Sequence, residues 1–153
     1  SATAGSDPDA IALATVAGAF RALGATPLGI APTDAALGLD MKLAARSLFT
    51  DGTATVQPAA IAVLDRTATA LAAPRGESRL VLQLTVGSGQ TGDEKAGDDE
   101  ATAVRRAAGL AAALVHRGAP PEAFIAGIAP FATGDVRLRF RLIGSSDDLD
   151  ASF

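Results

Sequence analysis

The stretch from Arg105 to Gly118, Arg-Arg-Ala-Ala-Gly-Leu-Ala-Ala-Ala-Leu-Val-His-Arg-Gly, reads as an alanine-rich helix with guanidinium groups at its start and a glycine stop. Asp99 is the candidate N-cap of that helix, about two turns before Arg106. An arginine so placed can grip a carboxylate through two parallel hydrogen bonds, while the helix start and exposed loop amides add positive potential. The residues by themselves leave a second reading open, in which Arg106 is a surface side chain paired with Glu100 or Glu122.

Other chemistry-bearing residues point away from catalysis. Gly87-Ser88-Gly89-Gln90-Thr91-Gly92 matches G-x-G-x-x-G after a predicted strand, but Asp93, Glu94, Asp98, Asp99 and Glu100 follow it and would repel a phosphate. The Gly-x4-Gly spacing of a phosphate loop is also present, with Asp93 where the lysine belongs. His116 is the single histidine, sits in the last turn of its helix and favours a solvated position near the helix dipole. No Gly-x-Ser-x-Gly elbow accompanies it, and one histidine with scattered carboxylates offers no metal-ligand spacing. Neither enzymatic activity nor a metal or cofactor is expected. Arg137, Arg139 and Arg141 form a stripe on the last strand, read as the solvated polar face of an antiparallel edge kept from pairing by its charge.

The composition sets the frame for these residues. A length of 153 residues fits one domain, and 48% hydrophobic residues, mainly alanine, leucine and valine, give an aliphatic core. The absence of cysteine excludes disulfides and thiolate chemistry. A net charge of −4 argues against nucleic acid as partner. No apolar run reaches the ~20 residues that cross a bilayer. Ser1 in place of Met is expected of a processed or excised fragment.

Periodicity then places the elements. Residues 1–7 read as a lead-in, and Ile11, Leu13, Val16, Phe20 and Leu23 suit a helix from Pro8 to Gly24. Thr26 to Asp34 is turn-rich. Leu37, Leu39, Met41 and Leu43 alternate with Gly38, Asp40 and Lys42 as in a half-buried strand. Pro58 opens a second helix, with Gln57 at the N-cap and Ile61, Leu64, Ala68 and Leu71 on one face. Ala73-Pro74-Arg75-Gly76 breaks it. A strand over 79–86 follows, then a glycine-rich polar loop over 87–98 and the helix Asp99–Arg117. A short strand from Phe124 to Ile128 precedes a last strand from Val136 to Leu142. Alternating strands imply an α/β (α+β) two-layer sandwich, a mixed sheet with helices on one face. Asp40, Lys42 and the three strand arginines are assigned to the wet face.

These residues carry a family resemblance. Leu48-Phe49 through Gly52, Ala54, Val56 and Pro58, then Leu64-Asp65, resembles the opening motif of the OmpA-like domain. Within that family the chain is most similar to the periplasmic part of MotB-type flagellar stator proteins. Arg105-Arg106-Ala107, Leu114 and Arg117-Gly118-Ala119-Pro120 resemble its helix and turn, and Val136 to Leu142 its closing strand. The match runs over residues 39–142. It implies an OmpA-like β-α-β-α-β order over 35–143, after an N-terminal extension (1–34) with one helix and before an acidic tail (144–153).

The resemblance also implies a function: non-catalytic anchoring to peptidoglycan in the periplasm, as part of a membrane-anchored protein, with a homodimer and a membrane-protein partner reached through a preceding anchor. In the family an aspartate in a turn after the second strand and a helix arginine hold the diaminopimelate of the stem peptide. Arg106 stands at the arginine. Asp99 falls near a family asparagine, and Thr102-Ala103 replaces its Leu-Ser. The turn, between Leu84 and Gly92, contains no acid. Losing that charged partner is worth on the order of 1.5–3 kcal/mol, so the motif implies weakened wall binding, binding of an altered ligand, or a fold given over to dimerisation or protein docking.

Overall fold

Proline and glycine punctuate the chain where its elements begin and end. The computed structural model describes residues 8–29, 38–50, 52–73, 78–89 and 96–144. Helix α1 spans Pro8–Ala22 and is followed by strand β1 (Thr26–Gly29) and strand β2 (Gly38–Ala44). The short helix α2 (Ala45–Leu48) leads to α3 (Pro58–Ala72), β3 (Ser78–Gly87) and the long helix α4 (Ala96–His116). A 3-10 turn over Pro121–Ala123 introduces β4 (Phe124–Ala129), and β5 (Asp135–Gly144) closes the fold. The lead-in over 1–7, residues 30–37 with the rest of the turn-rich stretch and Leu37, the break over 74–77, residues 90–95 of the loop over 87–98 and the tail after Gly144 lie outside the described residues.

The strands form one mixed sheet in the order β1-β2-β5-β3-β4. Every pairing is antiparallel except β3 with β4, which the α4 crossover makes parallel. Register aligns the apolar positions in rungs. Met41, Leu138 and Leu84 share one, Leu43, Val136 and Val86 the next, and Leu39, Phe140 and Leu82 a third. Against this face pack Phe20 of α1, Leu64, Ala68 and Leu71 of α3, and Leu110 and Leu114 of α4, in one continuous core. Phe20 meets Phe140 at 6.1 Å between ring centroids. The two-layer α+β architecture is therefore the one the alternating strands imply.

Several local expectations change. Thr26–Gly29, read as turn, pairs with β2 as an edge strand, a position that tolerates Pro27. Ile61 is exposed, and the buried face of α3 runs through Ala60, Val63, Leu64, Thr67, Ala68 and Leu71 instead. Helix α4 begins at Ala96, so Asp99 is not its N-cap but a first-turn residue. The last strand is no edge: β5 lies in the middle, between β2 and β3. Arg141, assigned to the wet face, is only 6% exposed. Its Nη1 donates to Asp40 Oδ1 at 2.8 Å and to the Phe140 carbonyl at 2.6 Å. A guanidinium in mid-sheet needs such partners, because burial without them carries a desolvation cost.

Candidate functional site

Helix α4 turns Ala103, Arg106, Ala107, Leu110 and Leu114 toward the protein, at three- and four-residue steps that make one face. Arg106 occupies the polar place in this apolar row and is 9% exposed. Its Nε donates to the Thr53 carbonyl oxygen at 2.8 Å, and its Nη1 to that of Thr133 at 3.3 Å. The guanidinium carbon lies 5.2 Å from the centre of the Phe49 ring, a cation–π distance. Three connections thus converge on one side chain: the α2–α3 loop, the β4–β5 turn and the residue that closes α2. This differs from the open alternative of a surface arginine, since burial and backbone carbonyls fix the group.

The α2–α3 loop is built to present that carbonyl. Phe49 and Val56 form an isolated antiparallel bridge, the Thr50 N–H donates to Thr55 O at 2.8 Å, and the Gln57 N–H donates to Leu48 O at 2.9 Å. The Thr53 hydroxyl donates to Thr50 O at 2.8 Å. Gly52 turns the chain at φ +70, a left-handed conformation that glycine adopts without strain.

Two clefts meet at Arg106. One, of 310 Å³, is lined by Ala44, Ala45, Arg46, Gly52, Thr133, Gly134 and Arg106. The other, of 220 Å³, is lined by Gly52, Gly87, Asp99, Thr102, Thr133 and Arg106. Arg106 and Asp99, the two residues singled out by sequence, therefore line the same concavity. Asp99 is half-buried, and its Oδ2 lies 3.2 Å from where a Cβ on Gly89 would sit. The Thr102 hydroxyl accepts from Arg105 Nη2 at 3.4 Å, which separates the two adjacent arginines by role. Glycine also shapes the wall: a Cβ on Gly87 would fall 1.9 Å from the Ala132 carbonyl oxygen, so the β4–β5 turn approaches as closely as it does only because no side chain intervenes.

Chemically the cleft offers a fixed cation and a carboxylate to a small zwitterion or carboxylate. Sequence reading did not pick out Gly52, Gly87, Thr102 or Thr133 as lining residues. His116 is exposed in the last turn of α4, away from this face. Asp93 lies outside the described residues. Among the described residues no three His, Cys, Asp or Glu side chains gather as a metal site would require, and no helix is long and apolar enough to cross a membrane.

The architecture has solved counterparts. The chain is similar to a putative MotB-like protein from Desulfovibrio vulgaris, with a TM-score of 0.52 and 15% identity, over 89% of this chain and 94% of that one. It is also similar to the periplasmic domain of Helicobacter pylori MotB, with a TM-score of 0.49 and 14% identity, over 84% and 91%. The OmpA-like domain of FopA1 from Francisella tularensis gives 0.45 and 12%, over 75% and 79%. No protein-family model matches the chain, and no curated protein does. The likeness to the Desulfovibrio protein is one of fold.

Proposed function

We propose that this chain is a non-catalytic module that associates with peptidoglycan in the periplasm. The observation that supports the reading is Arg106, buried and held by the Thr53 and Thr133 carbonyls where two clefts join, with Asp99 in the same wall. A diaminopimelate end carries both carboxylate and ammonium. In this reading the Arg106 charge attracts the carboxylate and Asp99 the ammonium, so Asp99 offsets part of what the acid-free turn forgoes. The binding is weaker than with an additional turn acid, by about tenfold to a hundredfold for one charged hydrogen-bonding partner.

Co-sedimentation with purified peptidoglycan tests this. The chain is expected to pellet with the wall, and Arg106→Ala and Arg106→Lys to remain in the supernatant, the lysine because it lacks the planar group that the Thr53 and Thr133 carbonyls hold in place. Wild-type protein remaining wholly in the supernatant would reject the reading.

A second reading is favoured by the turn without acid between Leu84 and Gly92. In it the fold serves as a dimerisation or docking domain without wall binding, within a membrane-anchored assembly of the stator kind. A sedimentation-velocity experiment showing only monomer over a wide concentration range would count against the dimer.

A further inference from the structure

The sheet face turned away from the helices carries a second cluster. Register places Lys42 of β2 directly opposite Arg137 of β5, with Thr85 of β3 continuing the rung. The neighbouring rung runs Asp40, Arg139, Gln83. Like charges directly opposite on one sheet face repel, and such a pair lowers stability. Among the described residues neither Lys42 nor Arg137 has an ion-pair partner. Asp40 is already shared, its Oδ1 lying 2.8 Å from Arg141 Nη1 and 3.4 Å from Arg139 Nε. On β2 and β5 this face sets the cations Lys42, Arg137, Arg139 and Arg141 against the acids Asp40 and Asp135, in a chain whose net charge is −4.

A cleft of 240 Å³ opens over these rungs, lined among others by Leu28, Asp40, Gln83, Thr85, Phe131, Arg137 and Arg139, the Asp40 carboxylate being held by Arg139 and Arg141. None of its lining residues is shared with the two clefts at Arg106. The Arg137 guanidinium lies 4.2 Å from the centre of the Phe131 ring. Phe131 is itself fixed, its N–H donating to Ala129 O at 2.8 Å and its carbonyl accepting from the Gly89 N–H at 2.9 Å. That cation–π contact restrains the guanidinium over the ring, so less freedom is lost when an acceptor binds.

We propose that this cleft binds the carboxylate of an acidic peptide segment carried by a partner protein. Arg137 and Arg139 outnumber Asp40 in the wall, so charge complementarity selects an anion, and Lys42, opposite Arg137 but outside the lining, is relieved of repulsion when one is bound. The walls select its stem: Leu28 and Phe131 suit hydrocarbon, while the Gln83 amide and Thr85 hydroxyl suit peptide groups. The cleft is smaller than the roughly 300–1,000 Å³ of a drug-sized site, which fits one or two residues. This site stands apart from the wall-binding reading.

Titration calorimetry of the whole chain at low salt, with a capped hexapeptide of alternating glutamate and leucine, tests it. Saturable binding is expected, with Arg137→Gln weakening it by about tenfold, as loss of one close charge pair does. Lys42→Gln is expected to weaken binding while raising the thermal midpoint, an opposition that a purely structural role would not produce and that holds if Arg137→Gln folds poorly. Free diaminopimelate leaves the affinity unchanged. Absence of saturation overturns the proposal. So does equal affinity for inorganic phosphate or anionic vesicles, equal affinity for a capped hexapeptide of alternating lysine and leucine, or binding unaffected by either substitution.

Discussion

The Nε–H of Arg106 spans 53 residues of chain to reach the Thr53 carbonyl at 2.8 Å, tying α4 to the loop that precedes α3. The same guanidinium reaches Thr133 in the turn before β5. Arg106 is therefore a structural tie as well as a ligand candidate, and the two roles have separable consequences.

Arg106→Ala removes, among its contacts, the charged hydrogen bonds to the Thr53 and Thr133 carbonyls and the contact with Phe49. Urea unfolding should show a loss of about 2–3 kcal/mol, from the hydrogen bonds and the cation–π contact together. A loss below about 0.5 kcal/mol, the level of ordinary surface substitutions, would mean that the tie contributes little and that Arg106 is held by other means.

Gly87 and Gly18 make a matched pair. At Gly87 an added Cβ meets the Ala132 carbonyl at 1.9 Å and the Phe131 ring at 2.9 Å, so Gly87→Ala has to displace backbone. Overpacking of that kind costs about 1–3 kcal/mol or more. At Gly18, within α1, nothing lies within 4 Å of the added Cβ. There alanine should stabilise by roughly 0.5–1 kcal/mol through helix propensity. Thermal melts of the two variants should move in opposite directions.

Asp40 joins two arginines of unequal burial. The Arg141 side chain is 7% exposed and that of Arg139 is 42% exposed. Asp40→Ala strands the buried guanidinium and should cost about 1–3 kcal/mol, whereas Arg139→Gln, acting on a solvent-screened pair, should change stability by about 0–1 kcal/mol. Equal effects in chemical denaturation would show that burial does not set the strength of this pair.

Much of this was readable in the chain because it rests on local signals. Pro58 opens α3, the alternation of Leu80, Leu82, Leu84 and Val86 makes β3, and Val136 to Leu142 makes β5. The order of strands was not readable: alternation looks the same in a central strand and an edge strand, so the arginine stripe was placed at an edge. Arg141 is buried because of register, which sets Gly38 opposite it and Asp40 on the adjacent rung. Strand β1 was hidden by Pro27 and Gly29, residues that serve turns and edge strands alike. The helix start moved because Ala96 and Gly97 precede Asp98-Asp99, which by themselves look like a cap. At the candidate site, Arg106 and Asp99 were visible as side chains. The carbonyls of Thr53 and Thr133 were not, since every residue carries a backbone acceptor and only folding says which one is near.

The most direct test of the central claim is an amide NMR titration of the whole chain with a diaminopimelate-containing stem tripeptide. The account predicts saturable shifts centred on Gly52, Gly87, Asp99, Thr102, Arg106 and Thr133, absent in Arg106→Lys. Saturable shifts gathered elsewhere, or none at millimolar tripeptide, would contradict it.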